Sequence, residues 1–506
     1  MNNLPLPIFT HPFRDLGASF FADVTPEAVT HPHWIHFNAP LAAQMGLPTT
    51  SFDVDLFSGN QLFEGQNPLA MLYAGHQFGH YTPQLGDGRA MQLGSTQHNG
   101  ERMEWQLKGA GRTPFSRGSD GRAVLRSSIR EYLCSAAMVG LGIPTTQALS
   151  LVGSTTPVYR EQRETAALVM RIAPSFVRFG SFEVFFYRGQ ILELKALADF
   201  VMTEHYPQCA AAEQPYVALL NAVIERTAVL VAHWQAVGFC HGVLNSDNMS
   251  ILGLTLDYGP FGFLDTYNPA HICNHSDHEG RYSFENQPFI GSWNLHCLAQ
   301  ALLPLIDDIP TVKTALAVYW PQFTAHLHGL MCEKLGLFEP QHSDADLIQE
   351  TLAMLAHNHL DYTRFFRRLA DFEMDHGAAI RSDCLDLPAF DAWASTYTAR
   401  LMSEPNSTRM TRMNAVNPKY ILRNHLAQEA IERAERGDFS EVSVLFECLQ
   451  HPFEEQAQYE RLNSEPEEGM AVEVSLPMLK SEASEAVLSI NGNEAVLQPL
   501  PYGLSD

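Results

Sequence analysis

The stretch that most restricts what this 506-residue chain can become runs from Tyr216 to Phe263. YVALLNAVIERTAVLVAHWQAVGF (216–239) is long and largely apolar, with Gly238 at its end. That is the pattern of a buried helix closed by a left-handed residue. HGVLNSDN (241–248) follows as a loop, MSILGLTL (249–256) as an apolar run, and Asp257-Tyr258-Gly259 as a turn. Asn248 and Asp257 stand nine residues apart, and a β-hairpin between them would bring two hard oxygen ligands together, suited to Mg²⁺. Each half alone has a plainer reading, a loop or helix cap and an ordinary turn after a strand. Their order behind a long buried helix points instead to a built site.

Upstream, MEWQLKGAG (103–111) reads as a strand with Lys108 near its end, and Glu131 lies 23 residues further on, inside a helical stretch. Nucleotide phosphate chemistry needs such parts: a cation for the phosphates, a group that holds it, and oxygen ligands for a metal. Protein kinases carry the same parts in the same order. At the place where a kinase's catalytic aspartate should follow the His-Gly pair, this chain has Val243. Three function classes therefore stay open on these residues: a nucleotidyltransferase, a phosphotransferase, and a silent nucleotide-binding scaffold.

The charge balance narrows the partners. A net charge of −25 argues against nucleic acid or an anionic membrane as the main partner. Yet residues 89–188 hold thirteen Lys/Arg against seven Asp/Glu. These can be solvated surface arginines, or an anion site, since the guanidinium fork matches phosphate oxygens. A hydrophobic fraction of 45% fits a well-packed soluble protein, and no unbroken run of roughly 18 apolar residues predicts a membrane span. The N-terminus, MNNLPLPIFTHPFRDLG, lacks a basic region followed by an apolar core. Eight scattered Cys without a CxxC pair predict reduced thiols and a cytoplasmic protein.

The element pattern is α+β. Residues 1–64 read as an irregular arm. Residues 65–193 read as a β-rich lobe: strand, turn and strand over 84–94, further strands over 148–160, 166–173 and 181–193, and one helix over 119–144. Ser119 or Asp120 can cap that helix, Leu125, Ile129, Leu133 and Ala136 give it an apolar face, and Arg122, Arg126 and Arg130 a basic stripe. Residues 194–400 read as helical with the loop described above. Residues 401–506 form a helical extension and an acidic tail, with an Asn-Gly hairpin in AVLSINGNEAVLQ.

Several long stretches resemble the selenoprotein O (SelO) family of pseudokinases. They are YAGHQFGHYTPQLGDGRAMQLG, WQLKGAGRTPFSRGSDGRAVLRSSIREYL, MRIAPSFVRFGSFE, HGVLNSDNMSILGLTLDYGPFGFLD, ICNHSDHEGRYSFENQP and NPKYILRNHLAQEAIE, spread over about 70–450. The resemblance implies a protein-kinase-like two-lobed fold with N- and C-terminal extensions. It implies ATP bound in reversed orientation, and AMP transferred to Ser, Thr or Tyr hydroxyls of proteins, with UTP as a second donor for bacterial members. It also implies roles. Lys108, Arg171 and Arg178 are phosphate clamps, and Glu131 orients Lys108. Gly86, Gly88, Arg89, Asp120 and Gly121 contact the nucleotide. Asn248 and Asp257 hold Mg²⁺ or Mn²⁺, with Asp257 also at the ATP. Asp247 is the general base. An aspartate of ordinary pKa, about 4, is a weak base, so its positioning should matter most. HICNHSDHEGRY (271–282) crowds His271, Cys273, His275, Asp277 and His278. Zinc usually wants a second, distant ligand pair, so a substrate-facing or regulatory loop is the preferred reading. Family members pair the loop cysteine with one in a C-terminal tail. Here Cys273 is present but the last cysteine is Cys448, a departure that puts redox control in doubt.

Overall fold

Strand pairing gathers the basic stretch of the chain into one antiparallel sheet. The computed structural model describes residues 7–50, 52–404 and 406–466, with the backbone of 486–490 and 493–497. In chain order the strands are β1 (Phe21–Asp23), β2 (His33–Phe37), β3 (Leu69–Met71), β4 (Gly75–Gln77), β5 (His80–Thr82), β6 (Ala90–His98), β7 (Glu101–Lys108), β8 (Ala123–Val124), β9 (Gln147–Tyr159) and β10 (Arg163–Ala173). The sheet runs β1-β3-β6-β7-β10-β9-β2, with β8 paired to β10, while β4 and β5 form a separate hairpin. Asn99 and Gly100 both adopt positive φ between β6 and β7, the conformation that lets a two-residue turn follow the twist of its strands. The segment 84–89 enters β6 as a turn, not as a first strand.

The alternation of side chains along each strand sorts the sheet's two faces. Trp105, Leu107, Leu168, Met170 and Ile172 face a core shared with Leu41, Phe57 and Phe63. Glu104, Gln106 and Lys108 lie on the alternate positions of β7, and Arg171 pairs in register with Gln106 on β10. Buried polar groups are thus collected on one face by the period of two. The described residues before 65 are more ordered than an irregular arm, because β1 pairs β3 and β2 pairs β9 at the two margins of the sheet.

The helix Leu125–Gly140 crosses the polar face. Leu125, Ile129, Leu133 and Ala136 are all buried, as their spacing requires. Neither Ser119 nor Asp120 caps it. Residues 123–124 first pair with β10, and Gly121, at positive φ, sits so close to the Gly111 carbonyl that a Cβ would collide with it. Arg122 therefore precedes the helix and is no part of a stripe on it. The strand expected over 181–193 is also replaced, by helices Phe179–Tyr187 and Ile191–His205. Phe179, Phe182, Val184 and Phe185 are buried all round, and a fully buried run carries no period to separate helix from strand. Its start is fixed by the Arg178 N–H donating to Ser181 Oγ at 3.3 Å and the Phe179 N–H donating to the Met249 carbonyl at 2.9 Å.

The rest of the chain is mainly helical. Helix Pro215–Val237 ends at Gly238 with φ 75°, as expected, and packs beside Gln287–Ile306 in the largest core. By length and mean hydropathy this helix and the segment Phe284–Ile306 could each cross a bilayer, although half or slightly more of each apolar window is buried inside the protein. Mean hydropathy finds them where an unbroken run does not. β11 (Phe239–Cys240) pairs with β12 (Gly262–Phe263). Ala486–Ile490 pairs antiparallel with Asn493–Leu497, as the hairpin expectation required, while Asn491-Gly492 and the acidic run 467–485 lie outside the described residues.

One buried cation ties the extension to the helical body. Arg423, 1% exposed, meets Asp265 at 2.5 Å and Asp361 at 2.7 Å, and Asp361 also caps helix Tyr362–Leu369. Arg423→Met leaves two carboxylates facing each other without a cation. We expect a loss of about 3–5 kcal/mol, read as a lower midpoint in chemical denaturation. A midpoint unchanged from wild type would show the pair to be energetically neutral.

Candidate active site

Three cations converge on one carboxylate where the sheet meets the loop after Gly238. Lys108 Nζ, at the end of β7, lies 2.5 Å from Glu131 Oε2 and 3.6 Å from Asp257 Oδ1. Arg171 on β10 donates to Asp257, to Gln106 Oε1 and, at 3.2 Å, to Glu131 Oε1. Arg178 Nη1 lies 2.9 Å from Asp257 Oδ2 and donates to the Asp247 carbonyl at 2.8 Å. Burial alone would raise the Asp257 carboxyl. Arg171, Arg178 and Lys108 override it and hold Asp257 well below the usual carboxylate range. Burial draws the Lys108 ammonium downward, and Glu131 opposes that fall.

A cleft of about 430 Å³ opens over these groups. Gly86, Gly88, Arg89, Lys108, Arg171, Arg178, Asp247, Asn248 and Asp257 all line it. Glu131 stands behind Lys108. Gly86 has φ 116°, and a Cβ there would press on the Phe115 ring at 2.5 Å, so the turn approaches its neighbours as only glycine permits. Asp120 and Gly121 are not among the lining residues. Asp120 pairs with Arg160 at 2.8 Å, and the wall on that side is made by Ser116, Arg117 and Ser119. Sequence reading also passed over Asp87 and Tyr73. Asp87 is buried, accepts the Met71 N–H at 3.1 Å and is pushed upward by desolvation. The Tyr73 ring lies 4.5 Å from the Arg178 guanidinium. An acid between two glycines beside Arg89 was the one available signal for Asp87; nothing local marked Tyr73.

The two halves of the hairpin do meet. Met249 bridges to Thr255 in antiparallel fashion, which sets Asn248 and Asp257 on the same cleft. Asn248 Nδ2 donates to the Val243 carbonyl at 3.0 Å, turning its Oδ1 away from that bond. An ionised carboxylate and a fixed amide oxygen on one wall are the donor chemistry of Mg²⁺ or Mn²⁺, so the residues fit such an ion. His241, behind the loop, is pushed down to about 4 by burial and stays neutral.

Asp247 differs from Asp257 in almost every respect. It is 7% exposed. Its Oδ2 accepts from Gln77 Nε2 at 3.3 Å, while its Oδ1 has no hydrogen-bond partner. Burial pushes its pKa up to about 7, with the Arg178 charge opposing. The expectation of an ordinary aspartate is thereby corrected: ten residues from an acid held well below the usual range sits one pushed up to about 7.

The 271–282 segment gathers no metal ligands. Asp277 accepts the N–H groups of Arg281 at 3.0 Å and Tyr282 at 2.7 Å, and Cys273 Sγ faces the Cys240 carbonyl at 3.4 Å. The carboxylate and thiol are spent on the loop's own backbone and on the strand Phe239–Cys240. All eight cysteines are free thiols.

Comparison with known proteins places the chain among named relatives. The family model described as "Protein adenylyltransferase SelO" matches residues 7–450. A "Protein nucleotidyltransferase YdiU" of Thioalkalivibrio sulfidiphilus is 52% identical over 468 residues, covering 89% of this chain and 94% of the relative. Proteins of the same name are 50% identical in Herminiimonas arsenicoxydans, over 92% of this chain and 95% of the relative, and 49% identical in Vibrio parahaemolyticus, over 92% and 98%.

The buried Asp247 has a measurable cost. Folded, it keeps its proton up to about pH 7; unfolded, it loses it near pH 4. The folded state therefore binds more protons between these values, and this group's contribution to stability falls as pH rises through that window. Asp247→Asn should be more stable than wild type at about pH 8, by a few kcal/mol, with the difference vanishing below about pH 4. Denaturation midpoints across the window check this; a constant difference would dissociate it from ionisation.

Proposed function

We propose a reaction from one fact: the chain belongs to the protein adenylyltransferase SelO family. It is a protein nucleotidyltransferase. In our reading, AMP passes from ATP to a Ser, Thr or Tyr hydroxyl of a protein and pyrophosphate is released, with UTP as a second donor. In this reading the two halves act as a kinase-like pair of lobes, the sheet carrying Lys108, the helix Leu125–Gly140 packed on it carrying Glu131, and the helical half carrying the loop.

The observation that carries this reading is the division of labour between the two aspartates. Lys108, Arg171 and Arg178 are buried cations that form a fixed anchor for phosphate oxygens. Holding the terminal phosphates there, with the nucleotide reversed, leaves the α-phosphorus toward Asp247. The acceptor oxygen attacks that phosphorus, and the bond to the α,β-bridging oxygen breaks. Pyrophosphate leaves with the bonding electrons, and the hydroxyl proton passes to the Asp247 carboxylate, which lines the cleft. A carboxylate with pKa near 7 is matched to accept that proton at neutral pH. Asn248 and Asp257 would hold the Mg²⁺ or Mn²⁺, which supplies neutralisation of phosphate charge when bound. Val243 lines the cleft where a kinase base is expected, and its isopropyl group takes no proton.

Incubation with ATP labelled at the α- or the γ-phosphorus distinguishes the classes. Label entering protein from the α position alone is the expected result; label from the γ position alone overturns it in favour of phosphotransfer. No label from either, with ATP still bound, would leave the scaffold reading. Asp247→Ala should lower transfer by about 10²–10⁴-fold while nucleotide affinity is retained. In wild type kcat/KM should rise with pH through about 7, as Asp247 loses its proton. Equal loss of ATP binding in that variant would assign Asp247 a structural role.

A further inference from the structure

Beside the catalytic loop lies a second polar cluster that nucleotide transfer does not use. His76 Nδ1 on β4 is 2.5 Å from Glu183 Oε2 on helix Phe179–Tyr187. Cys297, on helix Gln287–Ile306, completes a group whose nitrogen, oxygen and sulfur atoms all lie within 4.8 Å of one another. Three separate elements converge there, and among the described residues this is the one such gathering of His, Cys, Asp or Glu.

The cluster is incomplete as a hydrogen-bonded unit. Glu183 is 0% exposed, yet its Oε1 has no partner. The Tyr81 hydroxyl, whose ring centroid is 5.2 Å from that of His76, has none either. A buried carboxylate with one oxygen unmatched is costly, and a single imidazole contact satisfies only the other oxygen. A divalent cation bound between the three side chains would take up the open oxygen. The donor set is one nitrogen, one sulfur and one carboxylate oxygen. That mixture suits the borderline-soft zinc class, whereas Mg²⁺ and Mn²⁺ prefer the oxygens of the cleft.

We propose that His76, Glu183 and Cys297 form a site for a zinc-class divalent cation, with the Tyr81 ring packed against His76. The site is independent of the reaction proposed above. On binding, the Cys297 Sγ–H proton is released and the thiolate donates an electron pair to the metal; no redox partner is involved. The ion would fasten β4 against the loop, since the His76 N–H donates to Ser246 Oγ at 2.7 Å and Gln77 holds Asp247.

The test uses the full chain, stripped with a chelator and dialysed against Zn²⁺ or Co²⁺ alone. We expect one zinc retained per chain by elemental analysis, and a thiolate-to-cobalt charge-transfer band with Co²⁺. Cys297→Ser should abolish the band, and the isosteric Glu183→Gln should weaken zinc binding at least tenfold, while Cys273→Ser changes neither. Circular dichroism checks that each variant folds. Absence of the cobalt band in the wild-type chain overturns the proposal without any variant, and so does a band that survives Cys297→Ser. Should Cys297→Ser fail to fold, unchanged zinc affinity in Glu183→Gln is the overturning result.

Discussion

The Asp257 carboxylate is the point on which the two halves of the chain close. Lys108 and Arg171 reach it from the sheet, Arg178 from the start of the next helix, and Asp257 itself comes from the hairpin after the loop. Three buried cations are matched there by Asp257 and Glu131, which leaves an excess of one positive charge before any ligand arrives. Such a cluster is poor as a device for stability, because desolvating five charges is expensive and apolar residues fill the same volume at less cost. It makes sense as preorganisation. In the proposed reaction, phosphate oxygens entering the cleft would find guanidinium and ammonium groups already aimed and already stripped of water, so charge developing on a leaving pyrophosphate would meet fixed dipoles.

The two aspartates of the loop show how environment, not residue type, assigns a role. Asp257 is surrounded by cations and stays ionised; Asp247 is buried with one amide contact and a single nearby guanidinium, and is pushed up to about 7. Environments that drive two acids apart commonly separate a binding function from a proton-transfer function. Val243 in the cleft wall offers no base, and in the proposed reaction the environment of Asp247, four residues later, supplies one.

Much of this was legible in the sequence because order along the chain imposed it. Gly238 had to end a buried helix, and Asn248 and Asp257 had to meet across a short hairpin; that Lys108 and Arg171 share a face came only with the register of β7 against β10. What escaped was decided by tertiary packing. The run 179–185 is buried all round, so its sequence shows no period, and only its Ser181 cap and its seat on Met249 make it a helix. Asp120 looks like a helix cap, but Arg160, 40 residues away, takes it. The pKa of Asp247 depends on Gly75, Gln77 and Gly180 closing over it, and no local pattern announces that closure. Asp87 is another product of assembly, since its partners Met71 and Gln106 come from different strands.

That closure also explains why small residues flank Asp247. A Cβ at Gly75 would lie 2.7 Å from Asp247 Oδ1, and one at Gly180 would collide with the Ala74 carbonyl and stand 3.4 Å from the Asp247 Cα. Two backbones must therefore approach the loop without side chains between. Contact this close excludes water from Asp247, and exclusion of water is the first cause of its raised pKa. The hairpin of β4 and β5 thus acts on the chemistry without touching a phosphate: it sets the dielectric around one carboxyl. Whatever holds that hairpin down, including the His76–Glu183 contact behind it, sets how tightly the Asp247 carboxyl is sealed and hence how far burial raises its pKa.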